Sequence, residues 1–233
     1  MRTYCISDIH GHYKNFAAFK STLKEDDLVY VLGDVIDKGE DSIKILLEII
    51  ADKRFKMLLG NHEYMMWQFL SANKKSLEFL AYKDAWIKYN SGLKTFVDYV
   101  KLSKDKQKLI YDFISELPVN FPDVEVNGKK FYLVHSYFKE DRKLYLKDFG
   151  NNEEINEYIW KRVDPKKVDI DIGKTVIAGH TPNLYFTYNM EPVGNKTDLN
   201  KSTYIDIDGS LAANKRLGTL IALCLDDLTF KTY

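Results

Sequence analysis

Five short segments constrain this chain more than anything else in it: Asp8-Ile9-His10-Gly11, Gly33-Asp34-Val35-Ile36-Asp37-Lys38-Gly39, Gly60-Asn61-His62-Glu63, Val134-His135 and Gly179-His180-Thr181. Each follows a short apolar run, and four of the five histidines fall within them. Carboxylate, amide and imidazole side chains placed where strands run out argue for a metal site built at one edge of a sheet. Singly, Asp8 or Asp34 could be an ordinary turn or helix-capping residue; it is the recurrence that carries the reading.

The spacing between the segments supports a parallel sheet. Arg2–Ser7, Leu28–Leu32 and Phe55–Leu59 read as strands, and Asn15–Leu23 and Ser42–Ile50 as helices between them. Such alternation predicts helices packed on the faces of a parallel sheet, with ligands beyond the carboxyl ends of its strands. Residues 63–117 carry no strand pattern and are expected to form a helical insertion, with breaks near Ser71–Lys75 and Asn90–Gly92 and with Trp67 and Trp86 in its core. The second half is β-rich. Asn127-Gly128 marks a hairpin between Val124–Val126 and Lys130–Val134; Ile155–Arg162 reads as a helix; Lys174–Ala178, Thr203–Ile207, Thr219–Leu225 and Leu228–Thr232 read as strands. Residues 189–201 are polar and expected to form a mobile loop. One domain over residues 1–233 accommodates all of this.

Composition excludes several function classes. Lys plus Arg and Asp plus Glu are 34 each, so there is no basic excess to grip nucleic acid broadly. No apolar run approaches membrane-spanning length and no leader opens the chain, so a cytoplasmic setting is expected. Cys5 and Cys224 lie in apolar runs and read as reduced core residues.

Taken as one cluster, Asp8, His10, Asp34, Asn61, His135 and His180 form an oxygen and nitrogen donor set without thiolate. That set disfavours a structural zinc site and suits Mn, Fe, Zn or Co in an open catalytic geometry. Six donors are too many for one ion that must also bind substrate, and enough for two ions sharing a carboxylate, an arrangement that can clamp a phosphoryl group. His12, the fifth histidine, is not needed. Glu63 is expected to start a helix or support the ligands.

In order and spacing the five segments resemble the signature of the calcineurin-like metallophosphoesterases, and more narrowly the bacterial and phage-type serine/threonine phosphoprotein phosphatases, a group related to the symmetrical diadenosine tetraphosphatases. The likeness runs from residue 8 to about 223. It implies a four-layer α/β/β/α sandwich of two mixed sheets flanked by helices. It implies two divalent ions, Mn first, with Fe, Zn, Co or Ni as alternatives. Asp8 and His10 would bind the first ion, Asp34 would bridge, and Asn61, His135 and His180 would complete the second. A bridging hydroxide would attack phosphorus, His62 would protonate the leaving oxygen, and Asp37 would hold His62 cationic. Arg162, in Trp160-Lys161-Arg162, matches the family's Trp-x-Arg element and would bind phosphate. Two positions depart from the pattern: Lys38 stands where arginine is usual and lacks its planar fork, and Ser136-Tyr137 stands where Ala-Gly is usual.

The expected activity is therefore a phosphomonoesterase acting on phosphorylated protein or small phosphoesters. An alternative with the same chemistry is hydrolysis of dinucleoside polyphosphates or nucleotides. A third reading, motivated by Lys38 and Ser136-Tyr137, is a catalytically weak scaffold that retains its metals.

Overall fold

The strand and helix alternation of the first sixty residues forms a parallel core in the computed structural model, which describes residues 1–149, 152–188, 190–214 and 216–233. Strands β1 (Thr3–Ile6), β2 (Leu28–Val31) and β3 (Phe55–Met57) pair in parallel, with helices α1 (Tyr13–Lys20) and α2 (Ser42–Ala51) between them. The chain returns late to finish this sheet: β9 (Ile221–Cys224) runs antiparallel to β1 and β10 (Phe230–Thr232) antiparallel to β9, giving the order β10-β9-β1-β2-β3.

The second sheet has the order β4-β5-β6-β8-β7. Strands β4 (Asn120–Val126) and β5 (Lys129–Val134) form the expected hairpin, with Asn127 at φ 51° and Gly128 at φ 77°, the left-handed pair that a two-residue turn requires. Strand β6 (Thr175–Ala178) runs parallel to β5 and to β8 (Tyr204–Asp206), and β7 (Val193–Gly194) pairs antiparallel with β8.

Side-chain alternation fixes the layers. Cys5, Tyr30, Leu32, Phe131, Leu133, Ile177, Ile205 and Leu223 pack together in one cluster, the seam between the facing sheets. Their strand neighbours Ile6, Val29, Val31, Tyr132, Val134, Val176 and Tyr204 belong to a second cluster with Phe16, Phe19, Ile45 and Leu46 of the first half, and with Ile155, Tyr158 and Ile159 of α7 (Asn152–Ile159). The result is the expected α/β/β/α order with two mixed five-stranded sheets.

The helical segment comprises α3 (Asn61–Ser71), α4 (Leu77–Lys83), a π-helical turn (Asp84–Tyr89), α5 (Leu93–Val100) and α6 (Lys104–Ser115). It begins two residues earlier than expected, at a candidate ligand, and α5 and α6 rest on α2. Cys5 and Cys224 are free and buried. No helix among the described residues is long and apolar enough to cross a membrane.

Three expectations shift. Helix α1 ends at Lys20, because Ser21 and Thr22 hydroxyls bond back to the carbonyls of Ala18 and Phe19, both at 2.8 Å, and compete with the helical pattern. Helix α7 stops at Ile159 rather than Arg162, because the Trp160 and Lys161 carbonyls bond to His180 Nε2 and Ser136 Oγ instead of to helical amides. Residues 190–201, expected as loop, contain β7 and a 3-10 turn (Leu199–Lys201), while Asn189 lies outside the described residues.

Candidate metal centre

Parallel strands end on the same side, so the loops after β1, β2, β3, β5 and β6 converge on one edge. Backbone bonds tie them together: Asp8 N–H to Gly33 O (3.2 Å), His10 N–H to Asp34 O (3.0 Å) and Gly179 N–H to His135 O (2.8 Å). Asp8, His10, Asp34 and His180 all have positive φ, between 46° and 69°. That conformation costs a non-glycine residue on the order of 1 kcal/mol or more, so the surroundings must impose it. At Asp34 Glu63 does this. Its fully buried carboxylate accepts from the backbone N–H groups of Asp34 (2.8 Å), Val35 (2.9 Å), Ile36 (3.3 Å) and Gly60 (3.2 Å). Two glycines permit the close approach: a Cβ at Gly60 would collide with Asp34 Oδ1, and one at Gly179 with Asp8 Oδ2.

The six expected ligands come together. Donor atoms of His10, Asp34 and His62 lie within 4.8 Å of one another, as do those of Asp34, His135 and His180, so Asp34 is common to both groups. Asp8 Oδ1 is 3.7 Å from His10 Nε2, and Asn61 Oδ1 is 3.0 Å from His135 Nε2. His12 belongs to neither group. The orientation of each imidazole is set by its other nitrogen. His10 Nδ1 faces Ile36 O at 3.0 Å, His135 Nδ1 faces Leu32 O at 2.6 Å, and His180 Nε2 faces Trp160 O at 3.1 Å. Each carbonyl can only accept, so that nitrogen carries the proton and the opposite one presents a lone pair to the centre. Asp8 is held likewise: its Oδ2 accepts from His180 N–H (2.9 Å) and Ser7 Oγ (2.5 Å).

His62 is arranged differently. Its Nδ1 contacts Asp37 Oδ2 at 2.7 Å, and its Nε2 points inward, 3.9 Å from Asp34 Oδ2. Burial, then the charges of Lys38 and His135, push His62 well below the usual imidazole range. Burial raises Asp37 to about 7, opposed by Thr95, Trp86 and Lys38. Burial thus favours the neutral forms, while the 2.7 Å contact favours the ion pair. The two groups together hold one proton across that contact.

The donor set fits divalent cations. Burial first, then Asp8 and Glu63, push Asp34 well above the usual carboxylate range. Among the described residues no Lys or Arg nitrogen lies within 4.0 Å of the Asp8, Asp34 or Glu63 carboxylates. Crowded, buried carboxylates without a protein cation are costly, and two divalent ions against neutral imidazoles would supply the missing charge. Burial also lowers His10 to about 3, keeping it unprotonated.

A pocket of about 200 Å³ opens over the cluster, and Lys38 and Arg162 line it. Arg162 does so from the exposed stretch after α7, not from the helix itself. Asp208 also lines the pocket and stabilises a turn, its Oδ1 accepting from Ser210 N–H at 2.7 Å. Tyr137 packs at the edge of the core, with Lys161 Nζ 4.2 Å from its ring centroid. Four contributors escaped the sequence reading: the Trp160 carbonyl, Ser7, Asn90 and Tyr185, the last two on the pocket wall. Only Trp160 carried a local signal, through its place in the Trp-x-Arg element.

Comparison with known proteins agrees with this geometry. The family model for calcineurin-like phosphoesterases matches residues 1–201. The chain is similar to a protein of Wigglesworthia glossinidia brevipalpis named as a symmetrical bis(5'-nucleosyl)-tetraphosphatase, with 30% identity over 195 residues covering 76% of this chain and 68% of that one. It is also similar to a protein of the same name from Buchnera aphidicola subsp. Schizaphis graminum, 36% identical over 109 residues, 40% of each chain. Among solved structures, one provisionally assigned as a diadenosine tetraphosphatase superposes with TM-score 0.60 at 14% identity, covering 100% of this chain and 92% of that one. A serine/threonine phosphatase from Saccharomyces cerevisiae superposes with TM-score 0.55 at 14% identity, covering 100% and 79%.

Proposed function

The chain belongs to the calcineurin-like phosphoesterase family, and we propose that within it this metal-dependent phosphoesterase cleaves the phosphoanhydride chain of dinucleoside polyphosphates. The observation that carries the chemistry is the pair of donor groups sharing Asp34 beneath a pocket lined by Lys38 and Arg162. Two readings of the substrate follow from the sequence, phosphoprotein and dinucleotide. The named relatives support the dinucleotide more than the phosphoprotein that the motifs alone put first. Tyr185, 63% exposed on the pocket wall, adds support, since it offers a ring face on which a base can stack.

In this reading Asp8, His10 and Asp34 would hold one divalent ion, and Asp34, Asn61, His135 and His180 the other, with residues 1–233 working as one domain. The donors suit manganese, with iron, zinc, cobalt or nickel as alternatives. The ions supply charge that activates water and steadies the phosphoryl oxygens. Lys38 and Arg162 neutralise the phosphate chain at the rim. Water loses a proton to solvent as it adds to phosphorus, the P–O bond opposite breaks, and His62 Nε2 gives its proton to the leaving oxygen, while Asp37 keeps the ring aligned through Nδ1.

The test is a rate comparison, with Mn, on diadenosine tetraphosphate and on a phosphoserine peptide. The expected result is faster turnover of the dinucleotide, with ADP as product. Release of phosphate from the peptide without cleavage of the dinucleotide would replace this reading with the protein phosphatase one.

A further inference from the structure

We propose that Trp86, from the helical segment, is a positioning residue for the Asp37–His62 pair. The inference rests on the reading of His62 as the group that protonates the leaving oxygen. One carboxylate oxygen, Asp37 Oδ2, receives two donors: His62 Nδ1 at 2.7 Å and the Trp86 indole N–H at 2.8 Å. Asp37 and Trp86 are both fully buried, so water cannot replace either partner. Asp37 stands at φ 72°, and its backbone N–H is taken by Ser42 Oγ at 2.8 Å. Its main chain is therefore fixed and its side chain is aimed from the far side by the indole.

The surroundings of Trp86 serve that aim. It lies on a π-helical turn, Asp84–Tyr89, a distortion common at functional positions. Asn90 Nδ2 bonds Ala85 O at 2.7 Å, and Gly92 N–H bonds Trp86 O at 3.0 Å, closing the turn. A Cβ at Gly92 would collide with the indole at Nε1, so glycine is what admits the ring there. Phe69 and Phe96 pack on it with centroids 5.5 and 6.3 Å away. Thr95, also fully buried, lies beside Asp37 and favours its charged form. A tryptophan that only filled the helical core would not need its one polar atom directed at this carboxylate.

The consequence is specific. Loss of the indole N–H leaves Asp37 Oδ2 with one donor and lets the carboxylate turn, so His62 is misaimed while the metal ligands stay in place. Proton delivery matters most for a poor leaving group, so phenyl phosphate and p-nitrophenyl phosphate separate the roles. Two variants carry the test in the full chain loaded with Mn: Trp86→Phe, and benzothienylalanine incorporated at position 86, which keeps the bicyclic shape and lacks the N–H. His62→Asn is the reference, and metal content and melting temperature report folding. The expected result is a kcat loss about 10-fold or more greater on phenyl phosphate than on p-nitrophenyl phosphate, with two ions retained. Should Trp86→Phe not fold, the isosteric variant decides. Equal losses on both substrates at position 86, or none, together with a leaving-group dependence in His62→Asn, overturn the positioning role alone. Equal losses in His62→Asn overturn the acid reading and this inference with it.

Discussion

The two sheets contribute unequally to the centre. The first supplies both candidate carboxylate ligands, Asp8 and Asp34, together with His10, Asn61 and the Asp37–His62 pair; the second supplies two imidazoles, His135 and His180. The first set is braced mainly within its own half, by Glu63 across four backbone amides and by Ile36 O on His10, with Asp8 also held by the His180 N–H of the second. His135, by contrast, takes its orientation from Leu32 O, on the opposite sheet. The first half-site is built mostly by its own sheet, while His135 in the second is oriented only when the sheets dock. Asp34 is where they meet.

The largest expected effect tests that meeting point. Asp34→Asn should lower kcat by about 1000-fold or more and release both ions, since the shared carboxylate serves both groups. Measured metal content that falls by one ion only, with most activity kept, would break the picture of a shared ligand. Next in size, His62→Asn should lower kcat by about 100-fold or more with metal content unchanged, the range expected for a lost proton donor. An equal loss of metal would instead make His62 a ligand of the first group.

Glu63→Gln probes the bracing of the first half. The amide puts an NH₂ against backbone N–H groups, and an unsatisfied buried donor costs about 1–3 kcal/mol. At this chain length that corresponds to a melting temperature lower by roughly 2–12 °C. Metal affinity should fall by about 10- to 100-fold, measured by titrating the chelator-stripped protein. An unchanged melting curve would mean the loops hold themselves. The smallest effect is expected at the rim. Tyr185→Ala should raise KM for diadenosine tetraphosphate by about 5- to 10-fold, within the range of one base stack, and leave p-nitrophenyl phosphate turnover unchanged. An equal change on both would remove the stacking role.

The candidate centre was unusually legible because its chemistry sits at strand ends. A strand end in a parallel sheet is a local event, marked by an apolar run and in places a glycine: Asp34, Asn61 and His180 follow both, Asp8 and His135 the apolar run alone. The Asn127-Gly128 hairpin was legible for the same reason, through turn chemistry confined to two residues. Arg162 was recognised but placed on a helix, because the helical apolar pattern continues past Ile159, where the Trp160 and Lys161 carbonyls turn to His180 Nε2 and Ser136 Oγ. The Trp86 indole gave no signal. Its partner lies 49 positions earlier, and the residues around it read as ordinary insertion core.

What the amino-acid order determined by itself was which side chains could bind metal and on which edge each would emerge, since strand direction and turn chemistry act over a few residues. Tertiary structure decided the rest. Only the facing of two sheets puts His135 under Leu32 O and against Asn61, and only the packing of the helical segment on α2 brings an indole N–H to Asp37. Directional contacts of that kind depend on the relative placement of layers, which long-range burial sets and no local pattern encodes.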